Sequence, residues 1–399
     1  MKIGIYGGTF NPPHAGHLAA ARAAAAVLGL DKLVFVPAGL PPHKELPENS
    51  ATDRQRLEMT TIMADQLRRP DLTAVWDTEL KRPGKSYTAD TLYEAKLLWP
   101  DAELWLLMGT DMFLTLQTWH KPDKVMELAG ICAFGRTEAD TEELFEPQRK
   151  YLHETYNARI TTITIPDLVD ISSTRLRQAL QEGRGREYLP DPVYGYILRE
   201  KLYGTFADLT RLTDEDLRSV SYSMVKAKRL PHIRGTEEEA VRLARRWGAD
   251  EDKMRRAAIL HDCTKYLSLD EHLAICERYG VEPDEMERVT EKLLHSKTGA
   301  ILARHIFGVD DEVYEAIFYH TTARGNMSLA EKILYMADYI EPNRDFPEVD
   351  EMRALAYSDL DAAVAMGTQM AIEEMREKGR TVHPNTRDAY EHYRKGTQS

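Results

Sequence analysis

The hydrophobic pattern of this chain changes its period once, near residue 205, and that single change demands a fold in two parts. Before it, short apolar or β-branched runs end at Gly, Pro or Asp: KIGIY (2–6), KLVFVPA (32–38), LTAVWD (72–77), ELWLLMG (103–109), GICAFGR (130–136) and ITTITIP (160–166). Runs of this length and composition predict strands. Longer segments with helical spacing separate them, among them HLAAARAAAAVLG, DRQRLEMTTIMADQL and TADTLYEAKLLW, with Thr52 or Asp53 and Thr88 placed as caps. Strand alternating with helix predicts a parallel α/β sheet. Beyond residue 205 the alternation stops, and EEEAVRLARRWG, DKMRRAAILHD, TEKLLHSKTGAILARHIFG and SLAEKILYMADYI carry helical spacing with charged outer faces. The second half is therefore expected to be all helix. The polar stretch GTFADLTRLTDED (204–216) is the expected linker, dividing the chain into 1–204 and 205–399.

With 399 residues, 43% of them apolar and 29% charged, each half has material for its own core. A formal charge of −13 disfavours non-specific attraction to a nucleic-acid backbone, so no nucleic-acid partner is expected. Cys132, Cys263 and Cys276 have neither zinc-ligand spacing nor a paired framework, which fits a reducing cytoplasm. The apolar lead-in MKIGIYGG is too short for a signal-peptide core, and no run of roughly 18 apolar residues suggests a membrane span. A soluble cytoplasmic protein is expected; a homo-oligomer stays open.

The stretch KIGIYGGTFNPPHAGHLAAARAAAA reads as strand, glycine turn and helix. In an open α/β sheet, ligands sit at the carboxyl ends of strands, where a helix start offers free N–H groups to phosphate. His14 and His17, spaced i, i+3, share one side of the first helical turn and could grip one phosphate together. The turn has neither a Gly-x-Gly-x-x-Gly fingerprint nor the Lys-Ser/Thr ending of a P-loop. Far along the same half, DISSTRLRQAL (170–180) places Ser172, Ser173 and Thr174 as cap residues, with Arg175 and Arg177 as cations for a polyphosphate.

These two segments resemble the GGTFDPxHxGH and ISSTxxR signatures of the nucleotidylyltransferase superfamily, with Asn11 in place of the commoner Asp. PPHKE (41–45), KSYTADTL (85–92), LMGTDMFLTLQTWHK (107–121) and FGR (134–136) are similar to segments of bacterial nicotinate-nucleotide adenylyltransferases, over residues 1 to about 204. The resemblance implies a Rossmann-like α/β parallel sheet that joins ATP to nicotinate mononucleotide, giving deamido-NAD and pyrophosphate. It implies that His14, His17 and Arg175 act on the phosphates, with Gly8, Thr9, Phe10, Ser172, Ser173 and Gly109 around ATP and Asp111 near its ribose. Lys44 and Arg136 would assist with phosphate and substrate, and Thr88 and Trp119 would hold the nicotinate ring. His120 stands where the family often has Tyr. Mg²⁺ would arrive with ATP, held mainly by phosphates and water.

In the helical half, His232, the adjacent pair His261 and Asp262, then His295, His320 and Asp338 lie at helix ends or inside helical runs, so six ligands from five helices could converge. Imidazole with carboxylate suits Fe, Mn or Zn better than Ca or Mg, and two such metals can support phosphoryl hydrolysis. His43, His153, His272, His305, His383 and His392 read as cap or core residues. The set follows the HD-domain order His, His-Asp, His, His, Asp; HDCTKYL, HSKTGA and YHTTARGNMSLAEKILYMADYIEPNR resemble the YqeK-type HD hydrolases from about 214 to 380. That resemblance implies an all-α HD-type domain with two metal ions, of iron, that splits diadenosine tetraphosphate symmetrically into two ADP. Asp262 and Lys265 would be catalytic, and Arg324 and Arg344 would hold the polyphosphate. The alternatives are another acceptor, such as nicotinamide mononucleotide, in the first half, and a nucleotide-sensing regulatory module in the second.

Overall fold

The computed structural model describes residues 1–40, 49–135, 140–165 and 171–395. It divides into two compact units, Met1–Phe206 and Ala207–Ser399.

In the first unit, β1 (Lys2–Gly8), α1 (Ala15–Leu28), β2 (Lys32–Pro37), α2 (Asp53–Asp65), β3 (Thr73–Val75), α3 (Thr78–Lys81) and α4 (Thr88–Leu98) precede β4 (Glu103–Gly109). Then come α5 (Thr110–Leu114), α6 (Pro122–Leu128), β5 (Ala129–Phe134), α7 (Glu142–Tyr156), β6 (Ile160–Ile163), α8 (Ser173–Gln181) and α9 (Asp191–Arg199). The strands form one sheet in the order β3-β2-β1-β4-β5-β6, and every pairing is parallel. All six expected strands are present. Their near-continuous apolar sequence reflects burial on both faces. Ile3, Ile5, Leu104 and Leu106 pack with α4, α6 and α7, while Tyr6, Leu33, Phe35 and Leu107 pack with α1, α2, α8 and α9. Alternate residues feed opposite layers because successive strand side chains point to opposite faces. Ala20, Ala21 and Ala24 of α1 are fully buried, so the alanine run is the contact surface that lets this helix lie close to the sheet.

Thr52 caps α2 as expected, its hydroxyl accepting from the Gln55 N–H while Gln55 Oε1 accepts from the Thr52 N–H. The expectation for Thr88 is corrected: Tyr87 is the N-cap of α4 and Thr88 is its first helical residue. The linker is also shorter than the polar run, because Thr213 caps α10 (Asp214–Tyr222) within it, accepting from the Asp216 N–H.

The second unit continues with α11 (Leu230–Trp247), α12 (Glu251–Leu260), α13 (Leu269–Tyr279), α14 (Glu291–His305) and α15 (Asp311–Tyr319). It ends with α16 (Leu329–Ile340), α17 (Val349–Ser358), α18 (Leu360–Glu377) and α19 (Pro384–Tyr393). α11 packs on α12 and α16, α15 joins α14 to α16, and α18 pairs with α19. Ile233, Leu243, Ile259, Leu260, Ile317, Ile333 and Leu334 are buried completely. Gly248 and Gly280 end α11 and α13 in the left-handed conformation that glycine adopts at little cost. No helix among the described residues is long and apolar enough to cross a membrane. No disulfide joins the three cysteines, which are all buried.

Candidate active sites

Chain order reverses across the sheet between β1 and β4, so their carboxyl ends flank a crevice of the kind where open α/β sheets bind ligands. The loop after β1 carries Thr9 to His14, and the loop after β4 opens α5 with Gly109 as N-cap and Asp111 in its first turn. A Cβ on Gly8 would meet the Phe10 ring at 3.0 Å, whereas one on Gly7 would meet nothing within 4 Å. Gly8 therefore makes room for Phe10, which is buried with a positive φ of 47°. Gly7 leaves the strand end open.

His14 is the extended N-cap of α1 and His17 its N3 residue. The His14 N–H donates to His17 Nδ1 at 3.2 Å, and the ring centroids are 3.8 Å apart. This bond leaves Nδ1 of His17 as an acceptor and puts its proton on Nε2, the atom that can donate to an anion. The expected pair is thus a unit at a helix start.

The loop between Gly8 and His14 is held from a distance. Ser173 Oγ donates to Pro12 O at 3.2 Å and Arg177 Nη1 to Asn11 O at 2.6 Å, which brings the start of α8 to the glycine turn across more than 160 residues. Arg177 is therefore a strut, its Nη2 donating also to Thr174 Oγ1. Arg175 is exposed, and among the described residues its guanidinium has no protein partner. Ser172 caps α8, accepting from the Arg175 N–H. Asn11 Oδ1 accepts from Tyr203 OH at 2.7 Å and from the Ala51 N–H, and its Nδ2 donates to Ser50 Oγ.

Sequence reasoning missed Arg56. Fully buried on the inner face of α2, it donates to Thr9 O at 2.9 Å and pairs with Asp53. The available signal was its spacing with Met59, Thr60 and Met63, which places an arginine on an apolar face.

On the far side of the crevice, the rings of Tyr87 and His120 lie 4.3 Å apart, tilted by 34°. That contact joins the segment carrying Thr88 to the one carrying Trp119, which is half-buried against the α4 and α6 core. Lys44 and Arg136 lie outside the described residues.

In the second unit, all six expected ligands come together. His232 lies in α11, His261 and Asp262 follow α12, His295 lies in α14, His320 follows α15, and Asp338 lies in α16. His232 Nε2 is 2.9 Å from Asp338 Oδ1 and 3.3 Å from His261 Nε2, while Asp262 Oδ2 is 3.4 Å from His261 Nε2. On the other side, Asp262 Oδ1 is 3.2 Å from His295 Nε2 and 4.0 Å from His320 Nε2, and those two nitrogens are 3.2 Å apart. The groups His232–His261–Asp262, His261–His320–Asp338 and Asp262–His295–His320 each have ligand atoms close enough to share one ion. Asp262 belongs to both sides.

The surroundings fit a metal pair. His261, His295 and His320 each place Nδ1 within 2.7 Å of a backbone carbonyl, of Ala258, Lys292 and Ile317. His232 Nδ1 faces Glu341 Oε1 at 3.1 Å. Every imidazole thus donates outward and presents Nε2 inward, the arrangement that orients metal-bound histidine. Asp262 Oδ1, completely buried, receives no well-directed hydrogen bond. Burial opposes charge at Asp262, yet His261, His295 and Lys265 hold its carboxyl well below the usual range. Asp338 overcomes the same burial penalty through His232, His261 and Arg344. Burial, with His261 and His295 alongside, pushes His320 well below the ordinary imidazole value. Ionised carboxylates and a neutral imidazole are the forms that bind metal.

Three cations ring this cluster. Lys265 Nζ is 2.9 Å from His295 Nε2 and 3.5 Å from Asp262 Oδ1, and Arg344 Nη2 is 2.9 Å from Asp338 Oδ1. The third, Arg229, pairs with Asp262 Oδ2 and was missed, as was Glu341. Arg324 is not among them: it pairs with Glu331 and Glu315 and lies over the Tyr319 ring. Its Nε and Nη2 donate to those two carboxylates. Of the histidines read as structural, His272 is buried beside Thr298, and His383 caps α19 while also lying close to Asp284 and Glu287 in a group of potential ligand atoms.

Comparison with known families gives matches in both halves. Residues 5–179 match the model described as cytidylyltransferase-like, and residues 229–343 match the HD domain. A "Probable nicotinate-nucleotide adenylyltransferase" of Exiguobacterium sibiricum is 38% identical over 206 residues, 51% of this chain and 100% of the relative. The symmetrical bis(5′-nucleosyl)-tetraphosphatase of Halalkalibacterium halodurans is 39% identical over 163 residues, 41% of this chain and 87% of the relative. A solved structure described as a "predicted HD superfamily hydrolase involved in NAD metabolism", from Clostridium acetobutylicum, is 38% identical, with 46% of this chain and 98% of that one covered, at a TM-score of 0.45.

Proposed function

From the premise that this chain belongs in its first half to the nicotinate-nucleotide adenylyltransferase family and in its second to the symmetrical bis(5′-nucleosyl)-tetraphosphatase family, we propose that one polypeptide performs two reactions of adenine nucleotides. In the first, a phosphate oxygen of nicotinate mononucleotide attacks the α-phosphorus of ATP, the bond to the β-phosphate breaks, and deamido-NAD and pyrophosphate leave. His14 and His17 donate to the α-phosphate oxygens where charge builds in the transition state. Arg175 neutralises the leaving pyrophosphate, helped by Lys44 and Arg136. Gly8, Thr9, Phe10, Ser172, Ser173 and Gly109 shape the ATP site, Asp111 takes the ribose, and Thr88 and Trp119 hold the nicotinate ring. Mg²⁺ comes with ATP.

In the second reaction, water cleaves diadenosine tetraphosphate at its midpoint into two ADP. Two metal ions, of iron in this reading, would polarise a phosphoryl oxygen and acidify water when held by His232, His261, Asp262, His295, His320 and Asp338. The chain's own part is to fix those ligands, keep Asp262 and Asp338 ionised, and grip the polyphosphate with Lys265, Arg344 and Arg229. The observation that carries the two-reaction reading is that each constellation closes on itself: Ser173 and Arg177 reach the first glycine turn, and Asp262 joins two ligand sets. Three buried cysteines without a disulfide support a reducing, cytoplasmic setting.

The test assays one purified sample for both reactions, with its metal content measured. Deamido-NAD from ATP and nicotinate mononucleotide, and ADP alone from diadenosine tetraphosphate, are expected. Preference for nicotinamide mononucleotide, or a metal-replete sample without hydrolysis, would refute the corresponding half.

A further inference from the structure

A separate concentration of charge lies in the second unit, outside the metal-ligand cluster. α18 and α19 pack as a hairpin, and between them lies a cleft of about 640 Å³ lined by Arg376, Arg380, Arg387 and Arg394, with Tyr390 and Gln369 beside them. Helical spacing puts these groups face to face. Gln369, Glu373 and Arg376 recur at i, i+4 and i+7 on α18, and Arg387, Tyr390 and Glu391 at i, i+3 and i+4 on α19, with Arg394 as its C-cap at i+7. Ile372 and Val382, both buried, form an apolar floor.

The four guanidinium groups face two carboxylates. Glu391 pairs with Arg394, and Glu373 accepts from Gln369 Nε2 at 2.9 Å. Arg376 and Arg380 are exposed, and among the described residues neither guanidinium has an ion pair or hydrogen bond. A cation in the last turn of α18 is favoured by the helix dipole, which accounts for Arg376 alone. Arg387 stands in the first turn of α19, the end where that dipole disfavours a cation, and no acidic residue in the turn offsets it. Its Nη2 reaches only the Val382 carbonyl, at 3.1 Å. The guanidinium donors of Arg376 and Arg380 on this cleft are groups that a bound anion would satisfy.

The cleft wall is also fixed. Thr386 Oγ1 donates to Thr322 O at 2.8 Å, Asp388 Oδ2 accepts from the Gly325 N–H at 3.0 Å, and Tyr393 OH accepts from the Met327 N–H at 2.6 Å. His383 Nε2 faces Asp284 Oδ2 at 2.8 Å. α19 therefore does not behave as a loose terminal helix.

We propose that this cleft binds an oligophosphate anion, free or carried by a nucleotide. Guanidinium forks on opposing walls match the several oxygens of linked phosphates better than a single carboxylate. The cleft volume falls in the range of small-molecule sites, roughly 300–1,000 Å³.

The test is calorimetric titration of the full, metal-loaded chain with inorganic tripolyphosphate, compared with the double variant Arg376→Ala/Arg380→Ala. The wild type should have a binding event, weakened by salt, that the double variant loses by at least about tenfold in affinity. Arg376→Lys/Arg380→Lys should retain part of it. Deamido-NAD formation and the melting temperature serve as controls for folding. ADP, titrated in parallel, should bind the cleft no more tightly per phosphate than tripolyphosphate does. Superimposable isotherms for wild type and double variant would overturn the proposal, as would binding of ADP or of an oligoglutamate with tripolyphosphate silent.

Discussion

The two units use histidine in opposite ways. In the first, His14, buried, and His17, half-buried, are neighbours on one helical turn, joined by the bond from the His14 N–H to His17 Nδ1. In the second, four histidines from four segments are buried, each tied on its outer nitrogen and aimed at its fellows. The first arrangement lies within one helical turn and costs little to build. The second gathers carboxylates and imidazoles at a desolvation cost that their mutual attraction offsets at Asp262 and Asp338. His14 is as buried as His232, so burial does not separate the two arrangements; the number of contributing segments and the partner of the second ring nitrogen do.

The comparison breaks most sharply through reciprocal variants. Asp262→Ala removes the one carboxylate shared by both ligand sets, so hydrolysis of diadenosine tetraphosphate should disappear and metal content should fall by both ions. Adenylyl transfer in the same sample should not change. His17→Ala should reverse the pattern, with kcat for deamido-NAD formation down by about 10²–10³-fold, as for loss of a transition-state donor, and metal content intact. Loss of both activities in either variant would mean that the units do not work separately.

A smaller effect tests whether the outer hydrogen bonds matter as much as the ligands. Glu341 is buried and faces His232 Nδ1, and a Cβ on Gly235 would come within 2.3 Å of its Oε2, so this glycine keeps the space for it. Glu341→Gln should lower metal affinity by about 10–100-fold, read by competition with a chelator. Unchanged affinity would mean that backbone geometry alone orients the His232 ring.

In the first unit the matching support is Arg177. Its bond to Asn11 O is charge-assisted, of a kind worth about 1.5–3 kcal/mol, so Arg177→Ala should lower kcat/KM for ATP by at least about tenfold. Arg177→Lys should recover part of that loss, and hydrolysis should be untouched. A fall in melting temperature without a change in kcat/KM would reduce Arg177 to a structural role.

How much was legible follows from how local each feature is. The six strands were readable because parallel strands buried on both faces are written as apolar runs, and His14 with His17 because the pair lies within one turn. The six metal-ligand candidates were readable as a set through a family resemblance, since no spacing rule joins residues on five helices. The supporting residues were not. Arg56 is a charged residue on a helix and Arg229 and Glu341 flank helix ends, where a solvated position is the ordinary reading, and only the packing of the helices turns them inward. The partners of Arg324 were not legible either: its position four residues after His320 says nothing about side-chain direction, which Glu315 and Glu331 decide.

The smallest expected effect concerns a histidine outside both constellations, His272, and asks whether a buried histidine without a ligand role still leaves a signature. Burial, reinforced by the nearby His295, lowers its pKa from 6.5 to about 4, and among the described residues Nε2 has no hydrogen-bond partner. Above pH 6.5 the ring is neutral in both the folded and the unfolded chain and adds no pH dependence. As the pH falls from 6.5 toward about 4, the unfolded chain takes up a proton that the folded chain refuses, so the second unit loses stability across that window. His272→Asn removes the titration while keeping a polar group beside Thr298. The variant should be less stable at neutral pH through lost packing, yet its melting temperature should fall less steeply than the wild type's between pH 6.5 and 4. Parallel curves would mean that the imidazole reaches water in the folded state, and that burial alone does not set the charge of a histidine in this bundle.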